Sequence, residues 1–282
     1  MSEWFSGEVI ANGIKIHYWR TGGDRPPVVL SHGITDNGLC WTRLARALED
    51  AYDVIMPDAR GHGFSDAPEE GHSSEDRAAD LAGLIRALGL EDPTPVLVGH
   101  SMGAETTAAA AADYPELVRC AILEDPPWMA DALAISAEER AVWAREWRAD
   151  LVERKSQARE EIVAFCRAQN PTWAEVECGP WADSKLQVNL NVLKALALPR
   201  TPWQDVVRRI TCPVLLITAD PALGAIVTPE VAREAAALCR NVKVAHIPGA
   251  GHNIRREQFE QYVDVVTAFL AEVQAGDVKR ET

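Results

Sequence analysis

Ser101 lies between Gly99 and Gly103 in the run VLVGHSMGA, a spacing that suits nucleophilic catalysis. An apolar, strand-like run precedes this serine, and an alanine-rich, helix-like run follows it. Glycines at these positions relieve the crowding of a sharp strand–turn–helix, which leaves the serine strained and its hydroxyl exposed. The N-terminus of the following helix directs free N–H groups toward a developing oxyanion. We therefore interpret Ser101 as a nucleophile rather than an incidental serine in a tight turn.

A serine hydroxyl needs a neighbouring base before it can attack a substrate. Of the seven histidines, His252 lies in the run PGAGHN, after the last predicted strand and before the last predicted helix. The adjacent glycines leave that loop free to approach Ser101, and the chain order places the base there. His100 is next to the serine, but we expect its side chain to point elsewhere in such a turn.

Short apolar strands alternate with helices around these residues and indicate a parallel sheet wound in βαβ units. An Asn-Gly pair at 12–13 predicts an initial hairpin, and capping boxes at 73–76 and 136–139 predict two helix starts. The predicted strands lie in the runs PPVVLS, YDVIMP, PVLVG, RCAILE, PVLLIT and NVKVAHI.

The alternation stops after two consecutive prolines at 126–127 and returns near residue 209. The intervening region is helical in pattern and carries six of the nine tryptophans. Trp143, Trp147 and Leu151 recur every four residues and form one apolar helical stripe, which we expect to pack the cap on the core. The alternative is that some of the tryptophans of the cap line a pocket. We predict a core formed by residues 1–126 and 209–282, with a helical cap inserted at 127–208.

Several further motifs match a known family, namely SHGITD at 31–36, PDARGHGFSD at 57–66 and GAGH at 249–252. Together with the Ser101 turn, they resemble the α/β-hydrolase superfamily, in its cap-bearing esterase, lactonase and C–C hydrolase branch. The resemblance covers nearly the whole chain. It implies an α/β fold with a mostly parallel, eight-stranded sheet, helices on both faces and an inserted helical cap. It also implies a catalytic triad that needs no metal and no organic cofactor.

The same resemblance assigns two backbone donors to an oxyanion hole. The residue after the His-Gly pair at 32–33 is Ile34, and the residue after the nucleophile is Met102. Loss of one such donor typically costs a few kcal/mol of transition-state stabilisation. Asp36 either braces this loop or contacts the substrate.

The sequence leaves two aspartates as candidates for the acid that orients His252. Asp220 follows the strand PVLLIT, the usual position, although alanine replaces the glycine that normally begins that motif. Asp125 follows the strand AILE and lies 24 residues after Ser101, a spacing that some related families use. Glu124 is a third candidate, but strand alternation directs it to the opposite face.

Trp128 lies just beyond the strand that carries Asp125, so we predict that it contacts the substrate. An aromatic-lined pocket of this kind suits a bulky apolar or aromatic group. Arg255 and Arg256 follow His252 at the start of a helix. They either meet a carboxylate or form a solvated helix face, and we expect the solvated face.

The composition of the chain limits the classes of partner that this protein can bind. A net charge of −14 argues against nucleic acid, and the absence of 18 consecutive apolar residues argues against a membrane span. The six cysteines are scattered without a C-x-x-C pair, and the chain begins without a recognisable secretory leader, so we expect a cytoplasmic protein. The tryptophans of the cap are also suited to a homodimer interface.

The sequence therefore predicts a serine hydrolase that cleaves a carboxylic ester or lactone with a bulky apolar or aromatic group. Two alternatives stay open. One is a C–C bond hydrolase of a ring-cleavage diketone, and the other is a ligand-binding receptor on a hydrolase scaffold.

Overall fold

The computed structural model describes residues 4–130 and 135–281. Eight strands form a single sheet in the order β1-β2-β4-β3-β5-β6-β7-β8. The strands are β1 (Phe5–Ala11), β2 (Ile14–Arg20), β3 (Pro27–Ser31), β4 (Asp53–Pro57), β5 (Val96–His100), β6 (Cys120–Glu124), β7 (Val214–Thr218) and β8 (Val242–His246).

The predicted hairpin at the start of the chain is confirmed. Asn12 and Gly13 have φ values of 48° and 78°, as a tight two-residue turn between antiparallel strands requires. This turn pairs Ala11 with Ile14 and fixes the β1–β2 register. Strand β2 also pairs antiparallel with β4, and all other neighbours in the sheet are parallel.

Eleven helices occur in the described ranges, and both predicted capping boxes are present, at the starts of α2 and α4. None of these helices has the combination of length and apolar character needed to cross a membrane. The helices are α1 (Thr42–Leu48), α2 (Ser74–Ala87), α3 (Met102–Asp113), α4 (Ala137–Lys155), α5 (Arg159–Gln169), α6 (Glu175–Gln187), α7 (Lys194–Ala197), α8 (Trp203–Arg209), α9 (Pro229–Leu238), α10 (Ile254–Glu257) and α11 (Phe259–Glu281).

The sheet is covered by helices on both faces, as predicted. Helices α2, α3, α8 and α9 pack on one face, while α1 and α11 pack on the other. Strands β3 to β7 are buried on both sides, which explains why they appear in the sequence as continuous apolar runs. This arrangement aligns the carboxyl ends of the central strands at one edge, where ligands bind in open α/β sheets.

Helices α4 to α7 lie between β6 and β7 in the chain, and no strand occurs in the described part of that interval. Leu151 of α4 forms a small apolar cluster with Val188, Val192 and Leu193 from the segment between α6 and α7, and Ile34 of the core packs against it. Helix α8 instead contacts α3 and α9 and adds Trp203 to the main core, because its apolar side faces those helices. The predicted insertion at 127–208 therefore includes most of a helix that packs with the core.

Candidate active site

Ser101 occupies a strained turn between β5 and α3. Its backbone angles are φ 52° and ψ −118°, in a region that non-glycine residues rarely adopt. A Cβ on Gly99 would lie 2.2 Å from the carbonyl oxygen of Gly103, and one on Gly103 would lie 2.0 Å from that of Ser31. The two glycines are therefore required by backbone crowding, which is the physical basis of the sequence pattern.

Asp125 contacts the imidazole of His252. Its Oδ2 lies 2.6 Å from the His252 Nδ1, and the carboxylate is fully buried. The backbone N–H groups of Ile226 and Val227 donate to the same carboxylate at 2.9 to 3.1 Å. These bonds fix the orientation of the carboxylate, so that the Nδ1–H of His252 is held and Nε2 is left as the basic nitrogen.

The other two acids bind elsewhere. Asp220 accepts a hydrogen bond from the backbone N–H of Gly249 at 2.7 Å and lies 3.1 Å from His246 Nε2. Glu124 accepts from the Arg255 backbone N–H at 2.9 Å, on the opposite side of β6 as strand alternation requires. Of the three candidate acids, only Asp125 has the contact with His252 that a triad needs.

The loop that follows β3 carries Ile34. The backbone N–H of Asp36 donates to the carbonyl of Gly33 at 3.1 Å and closes a tight turn over residues 33–36. Ile34 and Ser101 line the same two cavities. Met102 is the first residue of α3, so its N–H is one of the free donors at that helix N-terminus.

His100 has a structural role that the sequence reasoning missed. Its Nε2 lies 2.9 Å from the carbonyl oxygen of His252, and the two ring centroids are 4.7 Å apart. Burial lowers the pKa of His100 well below its ordinary value, helped by the charge of Arg255, so the imidazole is neutral. The contact requires Nε2 to carry the proton, and it ties the backbone of the His252 loop to the end of β5. We expected the His100 side chain to point away from the serine hydroxyl, but the sequence did not predict its contact with the His252 backbone.

Asp36 is the centre of a buried charge cluster. Arg256 Nη2 lies 3.0 Å and Lys185 Nζ 3.2 Å from its carboxylate, with Arg255 Nη2 at 3.7 Å. Burial alone would raise the pKa of Asp36, but the charges of Arg256 and Lys185 lower it well below its ordinary value. Our expectation of a solvated face for Arg255 and Arg256 is wrong, because both are only 2% exposed and face buried carboxylates such as Glu124.

Two cavities meet at Ser101. Both are lined by Ile34, Ser101, Trp147 and His252, and their volumes are about 560 and 350 Å³. The larger is polar and charged where α6 meets the turn over residues 33–36, with Asp36, Asn170, Lys185, Asn253 and Arg256 in its wall. The smaller is more apolar, with Met102, Met129, Trp143, Leu196, Leu198 and Pro199 in its wall.

The smaller cavity also contains an excess of positive charge. Glu105 is bound by Arg77 Nη2 at 2.7 Å and lies 4.0 Å from Arg200 Nη1. All three side chains line the cavity, so the described part of its wall holds two guanidinium groups for one carboxylate. In the same described ranges, no three His, Cys, Asp or Glu side chains form a group that could hold a metal ion.

Trp128 does not line either cavity that contains Ser101. Its ring stacks on that of Trp203 at 5.2 Å between centroids, and it lines an adjoining cavity of about 170 Å³ that shares Met129 and Trp143 with the smaller serine cavity. The stacking draws the ring toward the core, so the structure does not bring Trp128 to the serine. Trp143 and Trp147 are about 40% exposed and line the smaller cavity, which agrees with the alternative of a pocket and not with packing of the cap on the core.

Comparisons with known proteins agree with this architecture. A family model described as alpha/beta hydrolase fold matches residues 26–255. A 2-(acetamidomethylene)succinate hydrolase from Mesorhizobium japonicum is 30% identical over 262 residues, covering 89% of this chain and 90% of that protein. An N-formylmaleamate deformylase from Pseudomonas putida is 26% identical over 279 residues, covering 94% and 96%. The crystal structure of an E-2-(acetamidomethylene)succinate hydrolase superposes with a TM-score of 0.80 at 26% identity, covering 95% of this chain and 100% of that one.

Proposed function

The chain belongs to the alpha/beta hydrolase fold family, and from this premise we propose that it is a serine hydrolase acting on a carboxylic ester or lactone. The observation that carries the proposal is the buried contact of 2.6 Å between Asp125 and His252, next to the strained Ser101 turn. A hydroxyl, an imidazole and an orienting carboxylate in this order form the machinery of acyl transfer.

In the proposed mechanism, Ser101 Oγ attacks the substrate carbonyl while His252 Nε2 takes the hydroxyl proton. Asp125 holds the tautomer of His252 and stabilises the imidazolium that forms. The backbone N–H groups of Ile34 and Met102 stabilise the oxyanion. His252 then protonates the leaving group, and a water molecule activated by the same imidazole cleaves the acyl-enzyme.

The two cavities support a substrate with two chemically different ends. The reacting carbonyl must lie near Ser101, where both cavities meet, so the acyl and leaving parts extend in different directions. The larger cavity suits a polar group, and the smaller one suits a compact apolar group flanked by Trp143 and Trp147. An aromatic or apolar group is thus supported for one end of the substrate.

A second candidate substrate class is an N-acyl compound that carries a carboxylate. The two relatives are named for an acetamido derivative of succinate and for N-formylmaleamate, and each matches nearly its full length. A carboxylate on the substrate would compensate the surplus charge of Arg200, because Arg77 already binds Glu105. The same Ser101 mechanism then expels an amine instead of an alcohol.

The first experiment is hydrolysis of a 4-nitrophenyl ester series from acetate to decanoate, compared between wild type and Ser101→Ala. We expect kcat to fall roughly 10³-fold or more in the variant, because the nucleophile is lost. Equal activity of wild type and Ser101→Ala would refute the proposal. If the wild type is inert on esters but releases a product from a ring-cleavage dienoate, the C–C hydrolase alternative replaces it. Tight ligand binding with negligible turnover would favour a receptor.

The substrate classes are separated by Arg200→Gln, with Arg208→Gln as the matched control. Arg208 is half-exposed and pairs with Asp205 on the outer side of α8, away from the cavities. We expect Arg200→Gln to raise KM roughly tenfold to a hundredfold for carboxylate-bearing substrates, since one charge-assisted hydrogen bond is lost. A neutral ester should be hydrolysed as before. Identical effects on neutral and anionic substrates would argue against the N-acyl carboxylate class.

A further inference from the structure

The turn that presents Ile34 is held in an unfavourable backbone conformation. Thr35, at the third position of the turn over residues 33–36, has a φ of 66°. Turns with a positive φ at this position favour glycine or asparagine, and a β-branched residue there is a true outlier. Such strain persists only where surrounding groups hold it. The constraints on Thr35 therefore bear directly on the turn over residues 33–36 that presents Ile34, which we call the oxyanion loop.

Lys185 supplies one constraint from the cap. Its Nζ donates to the carbonyl oxygen of Thr35 at 2.7 Å and lies 3.0 Å from the Oγ1 of the same residue and 3.2 Å from Asp36 Oδ1. The side chain is only 6% exposed. Its Nζ also lies 3.3 Å from Ser184 Oγ, which belongs to α6 itself. An ammonium group has three donors, and three of its four acceptors belong to the strained turn.

The core holds the other side of the same residue. The backbone N–H of Thr35 donates to His62 Nε2 at 3.4 Å. Burial lowers the pKa of His62 well below its ordinary value, so this nitrogen is free to accept. Thr35 is therefore fixed at its N–H by the core and at its carbonyl by the cap.

Lys185 lies in the last turn of α6, which meets the core beside the oxyanion loop. Asn37 Nδ2 donates to Gln187 Oε1 at 2.8 Å, and α6 also contacts the short turn Gly38–Trp41. A displacement of α6 would carry the ammonium away from Thr35. The position of the cap and the conformation of the oxyanion loop are thereby linked, and within this link Lys185 is the residue that bonds to Thr35 itself.

We propose that Lys185 is a positioning residue, which holds the Thr35 turn in the conformation that presents the Ile34 N–H to the oxyanion. This inference rests on the proposed serine mechanism. It means that the oxyanion hole is complete only while α6 of the cap is seated on the core. Lys185 acts on the reaction through Thr35 and does not need to touch the substrate.

The test compares Lys185→Met with Lys194→Met on a 4-nitrophenyl ester that the wild type hydrolyses. Lys194 also belongs to the cap, but its Nζ is exposed and donates to the carbonyl of Glu69 at 2.5 Å. We expect kcat of Lys185→Met to fall roughly 10²- to 10³-fold with KM within threefold, as for loss of an oxyanion donor. Phenylboronic acid, which forms a tetrahedral adduct with an active-site serine, should bind at least tenfold more weakly. Lys194→Met should match the wild type in both assays.

Thr35→Gly in the Lys185→Met background separates positioning from direct substrate contact. Glycine adopts a φ of 66° without strain, so the turn no longer depends on the ammonium, and we expect kcat to recover at least tenfold. A variant that changes only KM, or that glycine does not rescue, would show that Lys185 acts on the substrate instead. If Lys185→Met does not fold, Lys185→Gln replaces it, because its shorter side chain cannot reach all three acceptors.

Wild-type kcat and boronic acid affinity in either Lys185 variant would overturn the inference. The failure of the proposed function is distinguishable, because in that case Ser101→Ala would stay active. An inactive Ser101→Ala together with a fully active Lys185→Met would remove only the positioning role.

Discussion

Replacing Asp125 by asparagine is the most informative perturbation of this site. Each carboxylate oxygen accepts at least one backbone N–H, since Oδ1 faces Val227 and both oxygens face Ile226. Oδ2 also faces His252 Nδ1 at 2.6 Å. Whichever oxygen becomes an amino group will therefore oppose a hydrogen-bond donor.

Two effects follow from this geometry. If the amide nitrogen faces His252, the imidazole is held in the tautomer that protonates Nε2, and the base is lost. A change of this kind typically lowers kcat about 10⁴-fold, which is about 5.5 kcal/mol at 1.36 kcal/mol per tenfold. In either orientation the amino group opposes a buried backbone N–H, of Ile226 or of Val227, which costs about 1–3 kcal/mol of folding stability, and the charge that stabilises the imidazolium is lost.

The assay measures kcat on the best 4-nitrophenyl ester and the midpoint of thermal unfolding for Asp125→Asn and Asp220→Asn. Asp220 is the matched control, because it accepts a backbone N–H from Gly249 but its side chain is 35% exposed. We expect Asp220→Asn to keep kcat within a few-fold of the wild type. We expect Asp125→Asn to lose kcat by 10³- to 10⁴-fold and to unfold several degrees lower, at roughly 2–4 °C per kcal/mol.

The reverse pattern would refute the reasoning. A folded Asp125→Asn with nearly normal kcat, beside an Asp220→Asn that has lost orders of magnitude, would mean that the His252 loop adopts another arrangement during catalysis.

Three more predictions concern packing, charge and the substrate cavities. Gly103→Ala should destabilise the protein by about 3 kcal/mol and abolish ester hydrolysis, because the new Cβ would lie 2.0 Å from a backbone oxygen of β3. The control is Gly276→Ala, whose Cβ would meet nothing within 4 Å. It should change the free energy of unfolding, measured in urea, by less than about 1 kcal/mol. Asp36→Asn should lower the unfolding free energy at pH 7 by about 3–5 kcal/mol, since it leaves buried cations unpaired. The lowered pKa of Asp36 means that its contribution is present above about pH 4 and lost as the pH falls, so urea titrations of the variant should show a shallower acid-side decline. Trp128→Ala should lower the midpoint of thermal unfolding and leave KM unchanged, because its ring packs on Trp203. Trp147→Ala should raise KM roughly tenfold with little loss of stability, because its ring lines the serine cavities. A raised KM in Trp128→Ala together with an unchanged KM in Trp147→Ala would place Trp128 in the substrate site.

Local sequence patterns were sufficient for the elements and for the nucleophile turn. The hairpin at 12–13 depends on residues that tolerate positive φ, and the Ser101 turn depends on two glycines whose Cβ atoms would collide with backbone. Gly103 meets Ser31 of the adjacent strand β3, whereas the hairpin and the Gly99–Gly103 contact are constraints between near neighbours in the chain. For that reason, composition and spacing alone predicted them, along with the parallel sheet.

The acid partner of His252 required the tertiary structure. Glu124 ends β6, and Asp125 and Asp220 follow β6 and β7, whose carboxyl ends meet at the same edge of the sheet, so spacing left the two aspartates open. What separates them is the path of the 220–227 loop, which donates the N–H groups of Ile226 and Val227 to Asp125. The path of a loop depends on contacts distant in sequence, which no local pattern contains.

The cap shows the same division. Its helical character and its capping box at 136–139 are local properties, and the sequence by itself determined them. The tertiary structure alone decided that Trp128 stacks on Trp203 outside the serine cavities, and that Lys185 reaches across 150 residues to Thr35. A helix pattern specifies which residues share a face, but the partner of that face is set by the docking of whole elements. Buried ion pairs such as Arg256 with Asp36 therefore appear in the sequence only as separate charged residues, and their meaning comes from the fold.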